Sequence, residues 1–399
     1  MLGGCSSTGS SRSFEADVKF LQAHQETIVL STPDGQAKVA VVPAYQGRVM
    51  TSTAQGDSGH SLGFLKYDRI ASSTLEPQIN VYGGEDRFWL GPEGGQFSIF
   101  FPPGVEQTFA NWRTPACIDS EPYAVASRTA DRVTFTHRAT LINASGATFD
   151  LRIDRSVGLV SRDRVLLGMG MSPNADLRLV AYESANSITN VGAAAWTRDT
   201  GLLSIWILGM YPPSLRTRVV IPTRMPMGAS LTGILNDAYF GPVPDNRLRV
   251  IPSGNTAPPT QVIIFDADGE YRSKIGIAPR GAVSTAASWD PDHGVLTVIS
   301  FTVPQNPADY VNSMWGAPQA SPFAGDVVNA YNDGPPGPGL PPLGPFYELE
   351  SSSPAAALAP GESMIHIQRT VHFEGARSEL DTIARRLLGV SLEQIELAR

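Results

Sequence analysis

From Thr148 to Val157 polar and apolar residues alternate. Phe149, Leu151, Ile153 and Val157 fall on one face, with Arg155 the charged exception, and Asp150, Arg152, Asp154 and Ser156 fall on the other. A period of two predicts a strand buried on one side. Apolar-rich runs predict further strands over 133–142, 177–188, 202–208, 261–265, 295–301, 346–349 and 364–373. Near the start, 26–30 and 37–42 flank the turn Pro33-Asp34-Gly35 and predict a hairpin. Helical spacing is confined to the two ends. Phe14, Val18 and Leu21 share one face of a helix over 14–24. Two more helices are predicted over 378–388 and 391–397, with Ser378 and Ser391 as N-caps and Gly389 as a stop.

Between the strands stand Gly, Pro, Asp and Asn rather than helices, so a doubly wound parallel sheet is a poor fit. No fixed-period repeat points to a propeller. The expected fold is all-β: one large antiparallel sandwich of two extended sheets, with short N- and C-terminal helices. Residues 13–399 are expected to form it as a single domain, with the helices of 378–398 packed back on a sheet. The stretch from Pro335 to Pro342 reads as a stiff extended loop within it. Of the 399 residues, 42% are hydrophobic and 17% charged, which suffices to fill a core and excludes general disorder. A net charge of −8 without a long Lys/Arg cluster excludes a nucleic-acid backbone as the partner.

The cysteines are Cys5 and Cys117 alone, too few and too far apart for a disulfide framework or a zinc cluster. Leu2-Gly3-Gly4-Cys5 and the polar run that follows resemble a bacterial lipoprotein cleavage box with its tether. On that resemblance residues 1–12 are a lipid-attachment box and flexible tether, and the protein belongs to the cell envelope, periplasmic or surface. No run reaches the eighteen or so apolar residues of a membrane span, so any membrane contact is through lipid at Cys5.

Several motifs invite chemistry. Gly59-His60-Ser61-Leu62-Gly63 matches the G-x-S-x-G nucleophile elbow, which requires a buried strand before the serine and a helix after it. The polar run Ser52–Ser58 argues against the strand, and no helical pattern follows Gly63. Asp266-Ala267-Asp268-Gly269 opens like a calcium loop but lacks the later ligands, and reads as a turn between strands. His366 and His372 share one strand face roughly 20 Å apart, too far to share a metal. In Phe346-Tyr347-Glu348-Leu349-Glu350, Glu348 and Glu350 share a face with Cα atoms about 7 Å apart. If that face is partly buried, one carboxylate keeps its proton near neutral pH while the other ionises, which yields an acid and a base. A solvated face or an arginine-paired carboxylate is the plain alternative. The stretch Tyr82–Gly95 combines close-approach glycines with Arg87, a planar fork, Trp89, a flat apolar face, and Glu93. Sugars present matching surfaces, and Trp315 with Asn329–Gly334, containing Tyr331, Asn332 and Asp333, is a similar mixture.

These residues resemble a family. Leu349-Glu350-Ser351, Pro354, Pro360-Gly361-Glu362 and His366 to Phe373 are similar to the C-terminal signature of the galactose mutarotase (aldose 1-epimerase) superfamily. Phe265-Asp266, Tyr271-Arg272 and Ile275-Gly276 resemble a second segment of it, and Gly83-Gly84 to Arg87 stands where the family carries its substrate arginine. The resemblance implies a β-supersandwich with a carbohydrate on its concave face. It implies Glu350 as catalytic base, Asp266 as the acid that meets a sugar hydroxyl and Arg87 as the sugar-binding arginine, and Arg272 is a further candidate for substrate binding. The family's acid histidine has no counterpart. One register puts Val191 in its place, with Glu183 or Asn186 as nearby polar substitutes. Another sets Asn236-Asp237-Ala238-Tyr239-Phe240 on the family's Asn-His-x-Tyr-Phe and makes Asp237 the substitute.

The leading expectation is therefore a carbohydrate-binding, sugar-active protein with a carboxylate acid/base site, Glu350 working with Glu348 or Glu183. The second is a non-catalytic glycan-binding envelope lipoprotein, and the third a serine esterase using Ser61. No cofactor is required, although the sequence leaves open a calcium ion between carboxylates and ligand.

Overall fold

The computed structural model describes residues 12–72, 74–172, 177–306 and 308–398. Cys5 and its tether lie outside the described residues. Among the described residues the strands form three sheets, antiparallel throughout. The largest has ten strands. It runs from Leu248–Pro252 through Thr260–Asp266, Arg218–Pro226, Thr285–Asp290, Val295–Phe301 and Ser363–Glu374. It continues through Arg178–Asn190, Thr148–Leu159 and Arg132–Ile142 to Ala124–Arg128. The six-stranded sheet runs Leu235–Asn236, Ser273–Ile277, Val328–Asn332, Tyr347–Ser352, Ser204–Tyr211, Arg87–Gly91. A three-stranded sheet of Ile28–Ser31, Lys38–Val42 and Arg48–Thr53 stands beside them.

The two large sheets pack face to face. Val328, Ala330, Ile275, Ile277, Tyr347 and Leu349 of the smaller sheet meet Val219, Ile221, Ile263 and Phe265 of the larger. Further along, Phe88, Leu90, Ile205 and Ile207 meet Val133, Phe135, Leu151, Ile153 and Val157. The alternation that predicted the 148–157 strand is thus the inner and outer face of the ten-stranded sheet. Arg155 breaks the pattern because it points inward to a buried partner: its guanidinium pairs with Asp86, and both side chains are 0% exposed. Asp86 also accepts from Ser184 Oγ at 2.8 Å, and Arg155 reaches the Asn186 amide oxygen. A buried charge is tolerated only with such company.

Strands of the six-stranded sheet are buried on both faces, as in Ser204–Tyr211 and Arg87–Gly91. Their sequences therefore lack clean alternation. Arg87–Gly91, Arg218–Pro226, Ser273–Ile277, Thr285–Asp290 and Val328–Asn332 are strands that the apolar pattern alone did not single out. The C-terminal helices Arg377–Leu388 and Leu392–Leu397 cover part of the larger sheet's outer face, where Leu380, Ile383, Leu388 and Ile395 pack on Val220, Val262, Ile264 and Leu296. Ser391 makes a capping box with Gln394, and Gly389 closes the first helix at φ 77°. Ser378 is not a cap: the helix begins one residue earlier, with Ala376 at the N-cap position.

Candidate functional site

Leu349 faces the sandwich interior, so Glu348 and Glu350 project from the opposite face of the six-stranded sheet. Register sets their neighbours. Glu350 stands opposite Asn329 and Leu208, and Leu208 opposite Arg87. Glu348 stands opposite Tyr331, which stands opposite Lys274. Trp89 and Trp206 face each other two residues further along. Five strands therefore bring two carboxylates, two cations and three aromatic rings onto one face.

Each carboxylate has its own cation. Arg87 donates to Glu348 Oε1 at 2.8 Å, and its guanidinium lies 4.4 Å from the centre of the Trp89 ring. Lys274 Nζ donates to Glu350 Oε2 at 2.8 Å and lies 4.7 Å from the Trp206 ring and 5.2 Å from that of Tyr239. Trp206 Nε1 donates to the same Oε2 at 2.9 Å. The other oxygen, Glu350 Oε1, is buried and accepts no hydrogen bond within the protein. Such an atom is rare in a folded interior and costs stability unless something else donates to it. The face is well shielded: Glu348 is 6% exposed and Glu350 0%. Burial pushes the Glu348 carboxyl up to about 7; the negative Glu350 adds to the rise and Arg87 opposes it. An acid that titrates near neutrality thus stands beside an ammonium-paired carboxylate.

Two segments close over this face. Part-buried Glu93 accepts from Trp315 Nε1 at 2.9 Å, and burial raises its carboxyl while the Lys274 charge lowers it. On the other side Tyr239 donates to Asp326 at 2.6 Å, and Asn236 and Asn329 reach the same oxygen at 3.2 and 3.5 Å. Burial raises the Asp326 carboxyl, against the pull of those donors. Phe240 lies edge-on to Tyr331 at 5.8 Å and beneath the Arg272 guanidinium at 4.0 Å. Arg272 Nε donates to Tyr331 Oη at 3.3 Å, and Tyr331 donates to Asp333 at 2.8 Å.

Of the residues singled out in the sequence, Arg87, Trp89, Glu93, Arg272, Tyr331, Asp333, Glu348 and Glu350 are gathered here. Four are elsewhere. Glu183 is on the outer face of the larger sheet, held by Arg369 at 2.7 Å, because its neighbour Tyr182 takes the inward position. It cannot partner Glu350. Asn186 points into the sandwich and serves Arg155. Asp266 is paired with Arg218 at 3.1 Å and Arg249 at 2.9 Å, in the cross-strand row of Trp289, on the side covered by the C-terminal helices. Asn332 takes the alternate position to Tyr331 and ties Asp268 and Gly269.

The segment 236–240 covers the candidate face, whereas Val191 follows the end of Arg178–Asn190 and is 38% exposed. Of the two registers only the second brings side chains to the site, Tyr239 beside Lys274 and Phe240 beside Tyr331. Lys274, Trp206 and Asp326 were missed, while Tyr239 and Asn329 were named only as members of longer runs. Lys274 carried a faint signal, a lone cation in the apolar strand Ser273–Ile277.

Ser61 hydrogen-bonds Thr51 at 2.7 Å. The strand before it, Arg48–Thr53, is buried after all, because it is an edge strand packed against the sandwich. The helix after it is only Tyr67–Ala71. Among the described residues no group of three His, Cys, Asp or Glu is placed to hold a metal.

The folded chain is of the large antiparallel β-supersandwich class. Within that class it belongs to a family of unknown function (DUF6786), which matches residues 12–399. No curated protein matches. Among solved structures, the Slr1438 protein of Synechocystis sp. PCC 6803 is 13% identical, with 87% of this chain and 96% of that one covered and a TM-score of 0.50. An Escherichia coli K12 protein provisionally described as an aldose 1-epimerase is 15% identical, with 88% and 99% covered and a TM-score of 0.49. A galactose mutarotase-like protein of Lactobacillus casei ATCC 334 is 9% identical, with 88% and 100% covered and a TM-score of 0.44. At such identities the likeness is one of fold.

Proposed function

We propose that this protein binds a carbohydrate on the outer face of its six-stranded sheet and moves a proton at it. Glu350 is the base, taking a hydroxyl proton through Oε1. Glu348 is the acid, and Arg87 and Lys274 orient the carboxylates and meet hydroxyls. The observation that carries this reading is the buried, unpartnered Oε1 of Glu350 beside a carboxyl that titrates near 7. A proton donor and acceptor about 7 Å apart on one strand face suit a small ring held between them.

One observation favours a second reading, a sugar-binding protein without catalysis. All six histidines are engaged away from this face: His24 with Phe20, His60 with His293, His137 with Glu121, His293 with Asp290, His366 with Ser351 and His372 with Glu85. NMR measurement of anomer exchange separates the two, on a panel of aldoses with wild type and Glu350→Gln. Acceleration by wild type that the variant lacks supports catalysis. Line broadening or saturation transfer without acceleration supports binding alone. The segment ending at Cys5 keeps its reading as a lipid-attachment site. Palmitate labelling of cells expressing wild type or Cys5→Ser tests it.

A further inference from the structure

We infer that residues 235–241 are a lid over the carboxylate pair, latched to the sheet by Asp326, and that a ligand reaches Glu350 when this lid lifts. The inference rests on the reading of the face as a sugar site and supplies its entry route. The face is closed: Glu350 is 0% exposed, Arg87 3%, Glu348 6% and Lys274 8%. A sugar hydroxyl cannot meet Glu350 Oε1 through that cover, so part of the cover must move.

The two covering segments are held differently. Around Trp315 the loops are cross-tied. Gln107 Oε1 accepts from Gly95 N at 3.0 Å and from Gly316 N at 2.8 Å. Gln319 Nε2 donates to Asn312 O at 3.2 Å and Met314 O at 2.6 Å, while its backbone N donates to Gln96 Oε1 at 2.8 Å. The segment on the other side is a strap. Ile234 and Val243 are buried in the core and fix its ends. Between them Leu235–Asn236 pairs with Ile277 and Gly276 at the sheet edge, a ladder two residues long.

Beyond that ladder, side chains hold the strap down. Tyr239 donates to Asp326 Oδ2 at 2.6 Å, and Asn236 Nδ2 donates to the same oxygen at 3.2 Å. Gly276 makes room for this latch, since a Cβ there would meet Asp326 Oδ2 at 2.1 Å. At the far end Gly241 has φ 97° with open space where a Cβ would stand, so its torsion rather than crowding calls for glycine. It is the hinge. Lifting the strap breaks a hydrogen bond to a carboxylate but leaves Ile234 and Val243 packed, which makes it a local opening and not unfolding. It uncovers Lys274, whose Nζ lies 5.2 Å from the Tyr239 ring.

Acetylation of Lys274 by a water-soluble acetyl ester, followed by mass spectrometry, reads the opening without any sugar. Lys19, with a side chain 69% exposed, is the reference. Lys274 is expected to react at least about a hundredfold more slowly than Lys19. Tyr239→Phe keeps the ring but loses the latch, and should speed Lys274 about tenfold while leaving Lys19 unchanged. Asn236→Ala should speed it a fewfold, and serves if the tyrosine variant folds poorly. Arg155→Met weakens the sandwich far from the lid and should leave the Lys274 rate unchanged. So should Trp315→Phe, which loosens the other cover. Equal rates at Lys274 and Lys19, no acceleration in either latch variant, or acceleration in Arg155→Met or Trp315→Phe as large as in Tyr239→Phe overturns the inference. Failure of the sugar measurements overturns the proposed function alone, because these rates decide the lid without a ligand.

Discussion

Lys274→Met removes one ammonium and keeps the apolar stem beside Trp206. It leaves Glu350 buried with a single donor, Trp206 Nε1. In the native protein the pair is separated by 2.8 Å, with side chains 10% and 0% exposed. At an effective dielectric of roughly 20 the gross attraction across that distance is about 6 kcal/mol, and desolvation offsets part of it. Removing one member of such a pair costs about 3–5 kcal/mol, because the remaining charge is stranded. That is a large share of the 5–15 kcal/mol or so by which domains are stable. Urea unfolding followed by tryptophan emission and far-ultraviolet circular dichroism should show this loss at pH 8. At pH 5 the loss should shrink, since the stranded carboxylate can take a proton and the neutral acid is cheaper to bury. The double variant Lys274→Met/Glu350→Gln should recover at least half of the loss, as the amide still accepts from Trp206. A loss below about 1 kcal/mol that is equal at both pH values, and unrelieved by the second change, would refute the reasoning.

Three further outcomes follow from the same geometry. Burial raises Glu348 from 4.5 to about 7, so the folded state holds a proton that the unfolded chain releases in that interval. Its contribution therefore weakens stability as pH climbs from about 4.5 to about 7 and is level beyond; Glu348→Gln should flatten this slope, by on the order of 3 kcal/mol, in urea midpoints read across the window. Ser61→Ala should cost about 1 kcal/mol for the lost bond to Thr51, and a fluorophosphonate probe should leave wild-type Ser61 unlabelled; labelling would restore the esterase reading. Arg155→Met strands Asp86 inside the sandwich and should cost about 3–5 kcal/mol, whereas Arg155→Met/Asp86→Asn should be milder in thermal unfolding.

Much of the larger sheet was legible in the sequence because its strands have one buried and one open face. Thr148–Leu159 and Ser363–Glu374 show this, with boundaries within two residues of those expected. The smaller sheet was harder to read. Where both faces are covered, alternation fades, and Arg87–Gly91 gave no strand pattern. The carboxylate pair was legible because a period of two needs no knowledge of the partner strand. Its cations were only half legible: Arg87 stood in a conspicuous glycine-rich stretch, while Lys274 acquires its meaning only through register with Tyr331 and Glu348. Glu183 and Asn186 failed for a related reason. They are one and four residues from the buried Tyr182, and which side each takes depends on which sheet lies above them. Asp266 was carried by resemblance alone, and local arginines claim it.

The central claim is that the outer face of the six-stranded sheet holds a sugar between Glu348 and Glu350. A crystal of the protein soaked with an aldose that the NMR panel shows to bind tests it most directly. The account predicts electron density for a pyranose ring with one hydroxyl within hydrogen-bond distance of Glu350 Oε1. Density for the saccharide at any other surface, with Glu350 Oε1 still unmet, would contradict it.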